Sequence, residues 1–236
     1  MHQTLPLRAA TEPLAARMNE PQATPTGDAR CRVIVMAKAP LAGYAKTRLI
    51  PALGAHGAAA LAERLLAHAL AQAQAAALGP VELRCAPDAA HPAWRRLAQG
   101  ARLADQDEGD LGQRMARAFD AAFSDGERCV LLVGTDAPGL TAEVLRRAAA
   151  ALHGEADAVF VPALDGGYAL VGLRCPAPTL FEGMAWSCGT VMQRTRERLA
   201  AAGMRHAELP PLADIDEPAD LAHLPAGWLL PLSEEI

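Results

Sequence analysis

A chain of 236 residues, 51% hydrophobic but only 4% aromatic, is long enough for one large domain with a core of alanine, leucine and valine. Its formal net charge of −5, with lysine and arginine scattered rather than clustered, removes the electrostatic case for a nucleic-acid binder. The richest apolar stretch, residues 58–78, contains Glu63, Arg64 and His68 and is too polar to span a bilayer.

Residues 1–30 hold four prolines, no periodic apolar pattern and no secretory h-region. They are expected to form a flexible leader, followed by a single domain over 31–236 that starts near Arg32. With neither a secretory nor a membrane signal, the expected location is the cytoplasm. The five cysteines, Cys31, Cys85, Cys129, Cys175 and Cys188, form no C-x-x-C pair. Reduced core thiols are expected, not a disulfide or zinc framework. The seven histidines show no metal spacing.

The apolar run Val33, Ile34, Val35, Met36 predicts a first strand. A loop with Pro40 and Gly43 follows and delivers Lys46, Thr47 and Arg48 in a row. Leu61, Leu65, Leu66 and Leu70 recur at helical spacing, which predicts a helix over 56–78 stopped by Gly79 and Pro80. Strands are expected over 81–85 and 102–106, with a short helix over 92–99 between them. An acidic loop over 107–110 leads into a helix from Leu111, with Met115, Ala118, Phe119, Ala122 and Phe123 on one face and Gly126 as its end.

The fully apolar run 129–133 predicts a central parallel strand, broken by Gly134, Thr135, Asp136, Ala137 and Pro138. A helix over 141–152 with Thr141 as N-cap is expected next. Strands over 158–162 and 168–173 flank Asp165-Gly166-Gly167, a turn with hairpin chemistry that suits an antiparallel return. Residues 186–203 are expected to be mainly helix. A last short strand over 205–209 precedes an acidic segment over 213–218 and a short helix over 220–224. Strands alternating with helices imply a mostly parallel sheet covered on both faces, with a small antiparallel element and no second domain.

In such a sheet, ligands bind outside the carboxyl ends of the strands. Lys38, Gly43, Lys46, Thr47 and Arg48 follow the first strand, where cations and free backbone N–H groups suit a phosphate. A solvated loop is the plainer reading. Only two residues separate Gly43 from Lys46, so this is not a Walker loop. Asp136 follows the central strand directly. With Asp214 or Asp216 it has the oxygen chemistry to hold Mg2+ or Mn2+, or else it caps its own loop. Asp165, Gly166 and Gly167 form either a ligand-approach turn, with Asp165 as base or substrate contact, or a plain hairpin. Asp110 is most simply an N-cap at the edge of a nucleotide crevice. Trp186 and Ser187 either stack on substrate or belong to the core. No G-x-S-x-G elbow supports serine hydrolase chemistry.

P-x-x-G-x-x-K-T-R-L, Q-x-x-G-D-L-G-x-R-M, G-T-D-x-P-x-L, D-G-G-Y, W-S and D-I-D-E-P-x-D-L follow in order from Pro40 to Leu221, within a resemblance that covers roughly residues 32–224. This set resembles the bacterial GT-A-type transferases associated with radical-SAM/selenodomain proteins, also labelled arsenosugar-biosynthesis glycosyltransferases. More distantly the first loop resembles phospholactate guanylyltransferases.

The resemblance implies a single α/β domain of GT-A (nucleotide-diphospho-sugar transferase-like) fold that binds an activated nucleotide donor with a divalent metal, Mg2+ or Mn2+. It implies Asp136 and Asp216 as metal carboxylates and Lys46 and Arg48 as phosphate ligands. Gly139 and the Cys188-Gly189 pair depart from the family pattern. The implied function is a metal-dependent glycosyltransferase acting with a nucleotide sugar on a small-molecule acceptor. The alternative is a nucleotidyltransferase that joins a nucleoside triphosphate to a phosphorylated small molecule and releases pyrophosphate. A nucleotide-binding scaffold is the non-enzymatic reading. Neither a nucleic-acid nor a membrane partner is expected, and nothing in the sequence sets an oligomeric state.

Overall fold

The computed structural model describes residues 30–98 and 100–228. The leader expected over 1–30 therefore lies outside the described residues apart from Arg30, as do Gln99 and residues 229–236.

A single seven-stranded sheet runs through the molecule in the order β3-β2-β1-β4-β6-β5-β7. Its strands are β1 (Arg32–Lys38), β2 (Val81–Ala86), β3 (Arg102–Asp105), β4 (Val130–Val133), β5 (Ala158–Pro162), β6 (Tyr168–Leu173) and β7 (His206–Glu208). β1 pairs in parallel with β2 and β4, β2 with β3, and β5 with β7. Only β6 runs the other way, antiparallel to both β4 and β5. The carboxyl ends of the six parallel strands and the β5–β6 turn therefore share one edge of the sheet.

The helices are α1 (Ile50–Ala75), α2 (Trp94–Leu97), α3 (Leu111–Ser124), α4 (Ala142–His153) and α5 (Val191–Ala201). β1 shows why both faces must be covered. Val33, Val35 and Ala37 pack with Leu66 and Leu70 of α1 and Leu145 and Leu152 of α4. Ile34 and Met36 pack on the other side with Met115 and Phe119 of α3 and Met192 and Leu199 of α5. A strand apolar at five consecutive positions, Val33 to Ala37, has no face left for water there, which is the pattern of a central parallel strand. Among the described residues no helix is long and apolar enough to cross a membrane.

The structure departs from the expected elements at informative places. α1 starts at Ile50, not near residue 56. Pro51 occupies its first turn, and Gly54, at φ 70° and ψ 166°, breaks the helix before it resumes. The leucine repeat lies downstream of that break and could not reveal the first turn. The segment expected as helix from residue 186 is loop until α5 begins at Val191. Ser187 is in the left-handed region there, at φ 59°. Cys31, Cys85 and Cys129 are core thiols, in β2 or directly before β1 and β4, but Cys175 and Cys188 sit in loops and are exposed.

A third apolar cluster sits beside the cleft edge of the sheet. Leu49, just after the cationic loop, packs with Ala58, Leu61 and Leu65 of α1 and with Ile215 of the acidic segment. Leu49 and Ile215 are fully buried. Behind Ile215 the chain is laid along the sheet edge: Leu209 N–H donates to Phe160 O, Leu212 N–H to Pro162 O, and Ile215 N–H to Asp136 O at 2.9 Å. The acidic segment thus crosses from β5 to the end of β4, held by ladder-like bonds and one buried isoleucine.

Truncating that side chain removes its packing and leaves a cavity. Ile215→Ala is expected to lower the unfolding free energy by about 2–4 kcal/mol, and Ile215→Val by about 0.5–1.5 kcal/mol. Urea denaturation checks both values.

Candidate functional site

A cleft of about 930 Å³ opens at the carboxyl edge of the sheet, walled by the ends of β1 and β4, the loop before α3, the β5–β6 turn, the 186–189 loop and the acidic segment. Its floor is set by a loop-to-loop ion cluster. β1 ends at Lys38. The chain turns through Gly43, at φ 77°, and reaches Lys46 in the left-handed region at φ 50° and ψ 42°. The buried side chains of Ala45 and Leu49 hold the backbone on either side. The Lys46 side chain is consequently directed inward and is only 7% exposed.

Its ammonium makes three close contacts. Nζ lies 2.7 Å from Asp136 Oδ1 and 2.9 Å from Asp216 Oδ1, and it donates to Ile215 O at 2.5 Å. The carboxylates are 43% and 42% exposed, so each still presents oxygen to the cleft. Burial pulls the Lys46 pKa down. The charges and hydrogen bonds of Asp136 and Asp216 outweigh that and leave it above the ordinary lysine value. Thr135 Oγ1 donates to Asp136 Oδ1 at 3.1 Å, and Asp220 Oδ2 accepts from the N–H groups of Asp216 and Glu217. The Arg48 guanidinium stands 3.8 Å from Asp216 and 4.0 Å from Glu217 and is mostly solvent-facing.

The other sequence candidates divide into those that line the cleft and those that shape it. Lys38, Thr47, Arg48, Asp110, Asp165, Gly167, Trp186 and Ser187 line it together with Lys46, Asp136 and Asp216. Gly43 and Gly166 do not. Gly43 turns the loop. Gly166 lets the β5–β6 turn press against the 186–189 loop, because a Cβ there would stand 2.1 Å from Gly189 O. Gly166 O also accepts from Met192 N–H at 2.8 Å, coupling that turn to the start of α5. Asp110 is the N-cap of α3, in a reciprocal box with Gln113. Asp165 Oδ1 accepts from Gly167 N–H at 2.8 Å.

Trp186 is chiefly a packing residue. Its ring meets Tyr168 edge-on at 6.4 Å, and its indole fills the space left at Gly112, where a Cβ would meet it at 2.7 Å. The second glycine of G-D-L-G is therefore there for close helix–loop contact.

Two lining residues, Gln106 and Arg114, had no role of their own in the sequence reading, and Asp214, already named there beside Asp216, lines the cleft as well. Gln106 is buried, and its amide donates to Ala37 O at 2.8 Å and Arg84 O at 3.0 Å. Both amide hydrogens are thereby engaged, which leaves its carbonyl oxygen as the group available to a ligand. Arg114 lines the same wall, steadied by Gly109 O at 2.9 Å. Asp214 has its carboxyl pushed up to about 6, first by burial and then by the charge of Asp165, with Asp216 and Asp220 adding to it. Gln106 and Arg114 sit in the Q-x-x-G-D-L-G-x-R motif, so the motif itself was the available signal.

Among the described residues, no group of three or more His, Cys, Asp or Glu side chains is placed to hold a metal alone. The donor set still fits Mg2+ or Mn2+. Such ions commonly take one or two carboxylates and complete their shell with phosphate oxygens and water.

Residues 69–188 match the family model described as "Uncharacterized protein conserved in bacteria (DUF2064)". A search of curated proteins found no match. Among solved structures, a candidate nucleotide-diphospho-sugar transferase from Desulfovibrio desulfuricans G20 is 32% identical, with a TM-score of 0.76 over 81% of this chain and 84% of that one. A 4-diphosphocytidyl-2C-methyl-D-erythritol synthase aligns at 11% identity and TM-score 0.54, over 82% of this chain and 96% of its own. Glucosyl-3-phosphoglycerate synthase from Mycobacterium tuberculosis, solved with Mn2+, UDP and glucosyl-3-phosphoglycerate, aligns at 10% identity and TM-score 0.51, over 82% and 75%. The last two likenesses show a shared fold.

The raised Asp214 pKa has a definite sign in stability. Between about pH 4 and pH 6 the folded protein retains a proton that the unfolded chain releases, so this group makes stability fall as pH rises through that window. In the metal-free protein, Asp214→Asn is expected to raise the melting temperature at pH 7.5 and to leave it unchanged near pH 4. Thermal denaturation at both pH values checks this. An equal offset at both would assign the effect to packing instead of charge.

Proposed function

The chain belongs to the DUF2064 family of bacterial proteins, and from its likeness to the 32% identical nucleotide-diphospho-sugar transferase candidate and the cleft's geometry we propose that it is a metal-dependent transferase acting on a nucleotide diphosphate. The observation that carries this reading is the meeting of Lys46, Asp136 and Asp216 at one point between the ends of β1 and β4. A cation and two part-exposed carboxylates in a 930 Å³ cleft suit a diphosphate with room beside it for a second reactant.

In finer terms we assign it as a glycosyltransferase using a nucleotide sugar on a small-molecule acceptor. The 32% identical protein's description and the ordered motifs of the radical-SAM-associated group support that choice. It is one cytoplasmic domain over residues 31–236. Asp136 and Asp216 would hold Mg2+ or Mn2+. The ion, when bound, neutralises charge on the diphosphate leaving group.

The nucleoside runs over the β1–β2–β3 side, where Gln106 and Asp110 line the wall, and its phosphates turn toward Lys46, Thr47 and Arg48. The acceptor occupies the opposite wall, with Asp165, Gly167 and Ser187. Asp165 is suited to orient an acceptor hydroxyl or take its proton.

Nucleotidyl transfer is the second reading. Lys38, Arg48 and Arg114 add three further cations to the lining, a set that suits a triphosphate. Incubation with Mg2+, nucleotide sugars, nucleoside triphosphates and candidate acceptors separates the two. Acceptor-dependent release of nucleoside diphosphate supports glycosyl transfer. Pyrophosphate release in step with product assigns nucleotidyl transfer, and no donor turnover with any acceptor removes both.

Asp136→Ala is expected to abolish Mn2+-dependent nucleotide binding, as measured by calorimetry. Lys46→Ala is expected to lower the rate by about 10²–10³, the cost of losing one electrostatic stabiliser. A loss below about tenfold would remove Lys46 from the reacting centre.

A further inference from the structure

A lysine ammonium has three N–H donors and no acceptor. At Lys46 two hydrogen bonds, to Asp216 Oδ1 at 2.9 Å and Ile215 O at 2.5 Å, and an ion pair with Asp136 Oδ1 at 2.7 Å occupy the ammonium. The side chain has little freedom to rearrange. It is almost wholly buried, its backbone is in the left-handed region, and buried Leu49 and Ile215 fix the two loops that meet there. Lys46 can therefore give a hydrogen bond to a phosphate only when one of the two carboxylates gives its own up. The carboxylates, equally, already have a cation between them. An incoming divalent ion must compete with that ammonium for the same oxygens, and among the described residues no group of three or more His, Cys, Asp or Glu side chains is placed to hold it instead.

We propose that Lys46 is an internal counter-ion that makes metal and diphosphate enter together, so that the species this site takes is the divalent metal–diphosphate chelate and not the free ion. Metal alone would set a divalent charge beside an ammonium on two carboxylates. Diphosphate alone would find the lysine donors engaged and two anionic side chains facing it. With both present, Asp136 and Asp216 would hold the ion, the Lys46 N–H they release would turn to a phosphate oxygen, and each charge would regain a partner of opposite sign. Each ligand thus strengthens the other by the same factor, as linkage requires. This inference rests on the metal-dependent reading of the site given above. It adds that Lys46 opposes the metal alone and supports it only when diphosphate is present.

The test is Mn2+ binding, followed by the electron paramagnetic resonance of the free ion. Wild-type protein, Lys46→Met and Lys46→Arg are compared with and without inorganic pyrophosphate, correcting for the chelate formed in solution. Wild type is expected to bind Mn2+ at least about tenfold more tightly when pyrophosphate is present. Lys46→Met is expected to bind Mn2+ alone about tenfold more tightly than wild type and to lose most of the enhancement by pyrophosphate. Lys46→Arg, which keeps the cation, is expected to retain weak binding of the ion alone.

Unchanged or weaker Mn2+ binding by a folded Lys46→Met protein overturns the proposal. So does a wild-type affinity for Mn2+ that pyrophosphate leaves unaltered, a result that needs no variant. Wild-type protein that binds no Mn2+ under either condition removes the metal-dependent reading itself, and the inference with it.

Discussion

One ammonium group organises the cleft. Lys46 Nζ touches a carboxylate from the loop after β4, a carboxylate from the C-terminal segment and a backbone carbonyl between Ile215 and Asp216. The two carboxylates lie 90 and 170 residues along the chain from Lys46, and their charges would repel one another without the lysine. Burying such a group is costly unless it is paired and hydrogen-bonded. Here it is both.

The apolar cluster beneath makes this geometry dependable. Leu49 and Ile215 are each one or a few residues from a charged member of the site, and both are fully buried against α1. The charges are therefore placed by hydrophobic packing and backbone bonds, while their own pairing contributes position more than stability. The same logic holds across the cleft. Gly166 permits backbone contact between the β5–β6 turn and the 186–189 loop, and Gly112 permits Trp186 to lie against α3. Function-bearing loops are carried on contacts too close for any larger residue.

Much of this was legible in the sequence, for identifiable reasons. β4 is apolar throughout and β1 is apolar from Val33 to Ala37, so their central place in a parallel sheet follows from composition alone. Asp136 comes directly after β4 and Lys46 shortly after β1, and adjacent parallel strands bring those loops to one edge. The antiparallel β6 was announced by Asp165-Gly166-Gly167. What stayed hidden depends on long-range contact. Nothing local signals that residues 186–189 form a loop packed against Gly166, or that Gly54 breaks α1 above a regular leucine repeat. Gln106 looked like one letter of a motif, because the two carbonyls it bridges belong to β1 and β2. The three-way engagement of Lys46 was invisible for the same reason, although Asp136 and Asp216 were each singled out separately.

The central claim is that Lys46, Asp136 and Asp216 serve one metal-bridged diphosphate. A crystal structure with Mg2+ and a nucleoside diphosphate tests it most directly. The account predicts the ion about 2.0–2.1 Å from an oxygen of Asp136 or Asp216, with Lys46 Nζ in hydrogen-bond contact with a phosphate oxygen. A diphosphate seated elsewhere, with Lys46 still holding both carboxylates, would contradict it.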